Sequence, residues 1–444
     1  VTPIDEDKSP GIERLYLDFD SFFASAEQHF NPSLRGRPVG VVPLDSPHTS
    51  CIAVSREAKA RGVKSGFSVR AARQVIPDMV FVLARHDVYV RLHKRILAVI
   101  DTILPVAQVR SIDEMVCALL PEEARQGEAL ALRIKAGLAE AFSPGLTCSI
   151  GMAPTELLAK IGAEMNKPDG IALIRSAELP ERLAGLDLAA LPGISKGMQA
   201  RLAAAGVADF TALWRLAPKQ ARAIWGSVEG ERFWNGLHGH PSERPEAAKS
   251  MFGHSRNLPR DWRTPDRVAA CARQLALSAA RRLRREGLRA TRLTLSLRGD
   301  GPRDGGGQAW SWEGAFPPAR DDRTFLRSLA EGLSAARREA RFAPRAVGVV
   351  IHGLKAEREI TGDLFGGAVG PGGEDDATRA KWERVSELLD GLRRTHGAKA
   401  LSFGLQEDIP GGYVGAKIAF GRIPEEEDFT ETPVADGDTR FLSH

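Results

Sequence analysis

Four acids set the chemistry open to this 444-residue chain: Asp18 and Asp20 in Leu17-Asp18-Phe19-Asp20-Ser21, and the adjacent pair in Arg110-Ser111-Ile112-Asp113-Glu114. Hard divalent cations prefer oxygen ligands. If Asp18, Asp113 and Glu114 converge, with the Phe19 carbonyl as a further oxygen, they form a set able to hold two Mg²⁺ ions about 3.5–4 Å apart, the arrangement that drives phosphoryl transfer to a hydroxyl. Such ions also offset the repulsion among three close carboxylates. Taken alone, an Asp-x-Asp after a strand equally suits phosphotransferases that form an aspartyl-phosphate and metal-dependent glycosyltransferases. The first of these expects a Gly-Thr-type turn after the second acid, whereas Ser21-Phe22-Phe23 opens an aromatic helix. An Asp-Glu pair in a turn is also commonly just solvated.

The elements that must position these acids follow from the apolar pattern. Leu15 to Leu17 reads as a strand that stops at Asp18, followed by a helix from Ser21 to Phe30. Apolar runs at Ile100 to Val109 and Met115 to Leu120 read as a hairpin with Asp113-Glu114 at its turn. A helix over Gly127 to Phe142, a strand over Leu146 to Ile150 and a helix over Pro154 to Met165 complete a β/α alternation that suits a ferredoxin-like α+β layer. Residues 31–85, punctuated by Pro32, Pro38, Pro43 and Pro47, suit a small inserted subdomain.

Leu188 to His240 is helical in pattern and contains Leu191-Pro192-Gly193-Ile194-Ser195-Lys196-Gly197, a turn of helix-hairpin-helix type. Its glycines would let backbone N–H groups approach a phosphate, and Ser195 and Lys196 flank that approach; an ordinary helix-ending turn has the same composition. A linker over 242–249 leads to a basic stretch: residues 249–345 hold 21 Arg/Lys against 10 Asp/Glu, a net +11, so the remainder carries −7 of the overall +4. Positive charge gathered in one stretch is the footprint of a polyanion-binding module. Its expected elements are a long helix (Pro265 to Glu286), a strand (Thr291 to Arg298), a Gly-rich loop (Gly299 to Gly307), a helix (Thr324 to Arg338) and a strand (Arg345 to Gly353). The candidate phosphate contacts are Arg256, Arg281, Arg282, Arg284, Arg285 and Arg292. A solvated helix surface is the plainer account of Arg281 to Arg285.

Four scattered cysteines, Cys51, Cys117, Cys148 and Cys271, suggest neither a disulfide framework nor a C-x-x-C zinc site. Val1 to Arg14 does not resemble a signal peptide, and no apolar run approaches the roughly 18 residues of a membrane span. The cytoplasm is the expected compartment.

Over nearly its whole length the chain resembles the Y-family (translesion) DNA polymerases. Leu17 to Glu27 looks like that family's first acidic motif and Arg110 to Glu114 like its Ser-Ile-Asp-Glu motif. Cys148-Ser149-Ile150-Gly151-Met152-Ala153, with Leu158-Ala159-Lys160 and Asn166-Lys167-Pro168-Asp169-Gly170, is similar to its third block. The resemblance implies an α+β, multidomain right-hand polymerase: a ferredoxin-like palm (1–30 and 86–172), small fingers (31–85), a helical thumb with a helix-hairpin-helix (173–241), and a basic C-terminal α/β little finger (250–355). Residues 356–444 would form an extension, loosely attached or partly disordered.

It further implies metal ligation by Asp18, the Phe19 carbonyl, Asp113 and Glu114, with Asp20 in support. The ions would be two Mg²⁺, with Mn²⁺ able to substitute. Phe23 would be the steric gate against a ribose 2′-hydroxyl, and Phe22, Phe23, Ser55, Arg56, Lys59 and Lys167 would line the nucleotide, with Lys160 a weaker candidate. Partners would be primer-template DNA, deoxynucleoside triphosphates, a sliding clamp and accessory mutagenesis proteins, with no membrane. The activity would be low-fidelity bypass of damaged template; the alternative is a catalytically silent adaptor, a class that loses its carboxylates.

The finger segment departs from the polymerase IV type, because Arg56 and Lys59 stand where such members place Tyr and Arg. There it reads closer to the catalytic subunit of polymerase V. Glu359 to Phe365 sits where those proteins carry a clamp peptide, with Leu364 and Phe365 as its anchors, but the leading Gln is missing.

Overall fold

A computed structural model describes residues 11–242, 249–301, 307–360, 376–396, 401, 423–425, 429 and 434–442. They form two compact units, the first comprising residues up to 242 together with 423–425 and 434–442.

In the first unit β1 (Arg14–Phe19) leads into α1 (Phe22–Phe30). A small sheet of β2 (Val39–Val42), β3 (Ala53–Val54) and β4 (Val80–Leu83) carries α2 (Arg56–Ala60) and α3 (Val69–Val75). The chain returns through α4 (His86–Asp101), β5 (Val106–Val109), β6 (Glu114–Ala118), α5 (Pro121–Arg125), α6 (Gly127–Ala141), β7 (Cys148–Ala153), α7 (Glu156–Met165) and β8 (Ile171–Leu173). The larger sheet has the order β5-β6-β1-β7-β8, so β1 lies in the centre with β6 and β7 antiparallel on either side. The expected strand over Ile100 to Val109 is corrected: α4 continues through Asp101 and only Val106–Val109 is extended. The apolar residues at its start belong to a helix face, and a short apolar run cannot distinguish the two periods.

Packing around β1 depends on one glycine. Gly151 lies opposite Tyr16, and a Cβ there would stand 1.9 Å from the Ala159 carbonyl oxygen. Only a glycine lets α7 lie directly on the sheet at this point, and α7 brings Lys160 with it. Leu158, Ala159 and Ile161 of α7 then share one core with Leu191, Met198, Leu202 and Phe210, residues in and around α8 (Lys196–Ala204), α9 (Phe210–Trp214), α10 (Pro218–Trp225) and α11 (Glu229–Leu237).

The second unit runs β9 (Met251–Asn257), α12 (Pro265–Arg285), β10 (Leu288–Arg298), β11 (Ala309–Ala319), α13 (Asp322–Glu339) and β12 (Ala346–His352). Its sheet is antiparallel with the order β11-β10-β12-β9. Leu293, Leu295 and Leu297 alternate on β10, as do Val347, Val349 and Ile351 on β12, and together they meet the α12 stripe Val268, Ala272, Leu275, Ala279 and Leu283. Strands β9 and β11 escape the sequence reading: β9 is largely polar, and β11 contains Gly314, Pro317 and Pro318, which are tolerated because both strands are sheet edges.

The extension beyond 356 is not loose throughout. A short strand, β13 (Lys355–Ala356), pairs with β10. Helix α14 (Asp376–His396) is tied to the second unit by Asp390 to Arg284, Glu383 to Arg289 and Arg320, and the Ser386 hydroxyl to the Asp322 N–H. Residues 434–442 cross the first unit, where Phe441 forms a β-bridge with Val82 and Leu442 packs on the small sheet's core. Leu364 and Phe365, the expected clamp-peptide anchors, lie outside the described residues, as does most of the linker.

Candidate active site

Strand pairing alone brings the dispersed acids together. In the β1–β6 register Asp18 faces Glu114, and the Phe19 N–H donates to the Asp113 carbonyl at 2.9 Å. Directly paired residues on antiparallel strands project from the same face, so Asp18 and Glu114 share a face with Tyr16 beneath α7. Asp18 is 5% exposed and Asp20 3%.

Asp20 is fully engaged: Thr147 Oγ1 and Asp169 N donate to its Oδ2 at 2.8 and 2.9 Å, and Ser149 Oγ to Oδ1 at 2.9 Å. A carboxylate with three donors braces the strand end rather than offering oxygens to a ligand. Ser21 follows with φ 53°, a left-handed conformation unusual for a residue with a Cβ, and it starts α1. That turn carries the chain from β1 into α1, which begins with Phe22 and Phe23. Phe22 is a core residue, 3% exposed, with its ring edge-on to Phe19 at 6.0 Å. Phe23 is half-buried and stacks on Tyr89 at 4.7 Å with 17° between the planes.

Two lysines sit on the acids. Lys167 Nζ is 2.8 Å from Asp18 Oδ1 and 2.8 Å from Glu164 Oε1. Lys160 pairs with Glu114 and lies over the Tyr16 ring at 5.3 Å. Burial pushes the Asp18 carboxyl up to about 7; the Lys167 ammonium opposes this, while Glu164 and Asp113 add to it. Burial likewise raises Asp113, against the bond from the Ser111 hydroxyl and with the nearby Glu114 charge. Burial works against the Lys167 ammonium, but the Asp18 and Glu164 carboxylates outweigh it and hold its pKa above the usual lysine value.

Among the described residues no group of three or more His, Cys, Asp or Glu is arranged so that it could hold an ion as it stands. The side chains are turned to other partners: Asp18 to Lys167, Glu114 to Lys160, and Asp113 to the Ser111 hydroxyl at 2.5 Å. The donor set itself fits a hard divalent cation. It consists of carboxylate oxygens on adjacent strands, with Asp18 and Asp113 raised in pKa by burial and by neighbouring carboxylates, and with ammonium groups supplying the positive charge the cluster calls for.

Several further residues support the site, and of these His93 has no sequence signature. His93 Nδ1 donates from α4 to the Ile112 carbonyl at 2.7 Å, pinning the turn that carries Asp113. Arg110 pairs with Glu156 at the start of α7. Arg56 Nη1 donates to Thr147 Oγ1 at 3.3 Å, which in turn donates to Asp20, so the small-sheet segment reaches the site through a hydroxyl. Lys59 is exposed. Ser55 is a correction: it is wholly buried, it caps α2 by accepting from the Ala58 N–H, and it also accepts from the Val39 N–H and donates to the Arg37 carbonyl. Nothing remains for a nucleotide.

The polyanion candidates divide. Gly193, with φ 88°, Ser195, Lys196 and Gly197 form an exposed turn, where the Ser195 hydroxyl caps α8 by accepting from the Met198 N–H. On α12, Arg284 is corrected to a structural role: its side chain is 5% exposed and held by Asp322 at 2.8 Å and Asp390 at 2.7 Å. Arg282 is also buried, donating to the Gly253 and Ser278 carbonyls with its guanidinium over Phe252. Five consecutive helical residues sweep more than one full turn, so they cannot all face one partner. Arg281 is half-buried and Arg285 exposed. Arg256 is half-buried, and its Nη1 has no hydrogen-bond partner among the described residues. Arg292 is exposed and paired with Glu313 at 2.9 Å.

Comparison with known proteins bears on this arrangement. Residues 17–164 match the impB/mucB/samB family and residues 249–364 the C-terminal domain of that family. DNA polymerase IV of Moorella thermoacetica is 32% identical over 363 residues, covering 79% of this chain and 88% of the relative. DNA polymerase IV of Alkalilimnicola ehrlichii is 30% identical over 295 residues, 64% of this chain and 80% of the relative. Among solved structures, a Y-family DNA polymerase chimera of Dbh and Dpo4 aligns with TM-score 0.65 at 23% identity, covering 78% of this chain and 99% of the other. An insertion ternary complex of Dbh DNA polymerase aligns with TM-score 0.54 at 24% identity, covering 77% and 98%. Among the described residues no helix is long and apolar enough to cross a membrane. With its acids on paired strands, its motif order and relatives matched over most of their length, the chain belongs to the Y family of DNA polymerases, the enzymes of translesion synthesis.

Proposed function

We propose that the chain adds deoxynucleotides to a primer 3′-hydroxyl across damaged template, using Asp18, Asp113, Glu114 and the Phe19 carbonyl to hold two Mg²⁺ ions. The observation that carries this reading is the pairing of Asp18 with Glu114 across β1 and β6, with Asp113 bonded to the next residue. When bound, the ions supply Lewis-acid stabilisation of charge on the phosphates and on the attacking oxygen. The remaining work belongs to the chain. Asp20, locked by Thr147, Ser149 and Asp169, holds the strand end rigid. Lys167, paired here with Asp18 and Glu164, would supply a point charge to the triphosphate. Arg56 and Lys59 extend that charge from the small-sheet segment, which would serve as fingers. Phe23 stands half-exposed one helical turn beyond the acids, where a ribose 2′-hydroxyl would collide with it.

Primer-template DNA and deoxynucleoside triphosphates are the substrates this chemistry requires. The exposed Gly193–Gly197 turn and Arg285, Arg281, Arg256 and Arg292 of the second unit would meet the DNA backbone. The Arg56 and Lys59 substitutions leave the chain between the polymerase IV type and the polymerase V catalytic type. Leu364 and Phe365 remain the proposed anchors for a sliding clamp, and the cytoplasm the proposed compartment.

The test is extension of a primer on undamaged template and past an abasic site, with Mg²⁺, by wild type and by Asp113→Ala. Extension by the first and not the second supports the reading. A wild type as inert as the variant would leave the adaptor alternative standing.

A further inference from the structure

Two helices present matched pairs beside the acids. On α1, Phe23 and Glu27 are four residues apart and so share a face; Tyr89, in the first turn of α4, and Arg85, at its N-cap, do the same. The four side chains interlock. Phe23 stacks on Tyr89, the Tyr89 hydroxyl donates to Glu27 Oε1 at 2.7 Å, and Arg85 grips Glu27 with two bonds of 3.0 and 2.7 Å. Glu27 is 0% exposed and Arg85 2%. An ion pair removed this fully from water is costly unless every remaining donor is satisfied. Arg85 Nη1 finds its acceptors far along the chain, in the Ala435 and Asp436 carbonyls at 3.2 and 2.8 Å.

The strap that supplies those carbonyls is itself tied down. Arg91 donates to the Val434 carbonyl at 2.6 Å and pairs with Asp436 at 3.0 Å. The Leu83 N–H donates to the Arg440 carbonyl at 2.7 Å and the Leu442 N–H to the Phe81 carbonyl at 3.1 Å, extending the open edge of the small sheet at β4. Residues 434–442 therefore span from the base of α4 to the inserted subdomain.

We propose that this strap is a positioning element for sugar selection: through Arg85 and Glu27 it fixes Tyr89, and Tyr89 fixes the plane of the Phe23 ring. The inference rests on Phe23 acting as the steric gate. Without a partner the Phe23 ring could tilt away from a 2′-hydroxyl, and the Tyr89 stack turns a bulky residue into a rigid wall. Phe23 meets the nucleotide; Tyr89, Arg85 and residues 434–436 act through it.

The experiment measures single insertions of a deoxynucleotide and of its ribonucleotide counterpart opposite the same template base, using full-length chains. Phe23→Ala should lower the deoxy-to-ribo ratio of kcat/KM by about a hundredfold. Tyr89→Leu should lower it about tenfold, chiefly by lowering the ribonucleotide KM, with the deoxynucleotide kcat kept within about threefold. Tyr89→Phe keeps the ring but cuts its bond to Glu27, and should lower the ratio about as far as the strap variant, by about threefold. The double variant Asp436→Ala with Leu442→Asp loosens the strap without substituting any residue of α1 or α4, and should lower the ratio by about threefold or more. If Phe23→Ala lowers the ratio while Tyr89→Leu and the strap variant do not, the gate reading stands and the positioning role is wrong. If Tyr89→Leu lowers it and the strap variant does not, the strap is only a structural clip and the proposal falls. A wild-type ratio in Phe23→Ala would remove the gate itself, and this inference with it.

Discussion

Lys167 Nζ lies 2.8 Å from Asp18 Oδ1 and is held at the same distance by Glu164 one turn earlier. The ammonium therefore neutralises a carboxylate that burial would otherwise protonate. Under the proposed function the same side chain would exchange that carboxylate for a phosphate of the nucleotide.

Replacing it should show both roles. Lys167→Met is expected to raise the deoxynucleotide KM about tenfold or more, with a smaller fall in kcat, because a charge contact to the bound nucleotide is lost. Lys167→Arg should recover part of the loss. Steady-state single-nucleotide insertion measures this; an unchanged KM in Lys167→Met would confine the lysine to balancing Asp18.

Gly151→Ala should be far more damaging than its size suggests. The added methyl would stand 1.9 Å from the Ala159 carbonyl and 2.4 Å from the Ala163 nitrogen, both backbone atoms with no rotamer to escape by. Helix α7 must lift, moving Lys160 away from Glu114. Expected are a loss of roughly 1–3 kcal/mol or more in denaturant unfolding and a fall in extension well beyond the loss of folded protein. Wild-type activity in this variant would mean that α7 does not position the site.

Arg284 and Arg292 should part company. Arg284→Ala leaves Asp322, which is fully buried, and Asp390 without their cation, at an expected cost of about 3–5 kcal/mol in stability. Arg292→Ala should leave the melting temperature nearly unchanged but flatten the plot of log DNA affinity against log salt by about one unit. Binding titrations across a salt series, together with thermal melts, separate them; the opposite pattern would refute both assignments.

Buried His93 makes stability depend on pH. Burial pushes its imidazole down to about 4 from 6.5, against the bond to the Ile112 carbonyl. Between those values the unfolded chain binds a proton that the folded chain does not. Its contribution is therefore complete above about pH 6.5 and is lost as pH falls towards 4, by up to about 1.4 kcal/mol per pH unit. His93→Gln, which can still donate to that carbonyl, should flatten this limb of a stability curve measured by urea unfolding from pH 4.5 to 7. Parallel curves for the two proteins would exclude His93 as the source.

The local order of the chain was legible in its residues. Strand β1 ending at the acids, the aromatic helix after it and the α12 and α13 stripes all follow from apolar spacing, which needs no distant partner. The sequence also singled out Asp18, Asp113, Glu114 and Lys167, and strand pairing brings them to one place. Only the tertiary structure decided which charges are buried and which lie at the surface. Arg284 and Arg285 are adjacent and identical, yet one is locked between two aspartates and the other is exposed. Ser55 became a cap, and residues 434–442 became a strap holding Arg85. In each case the outcome depends on which group, often hundreds of residues away, arrives within hydrogen-bond reach. Periodicity records which face a side chain occupies, and the packed chain alone determines what that face meets.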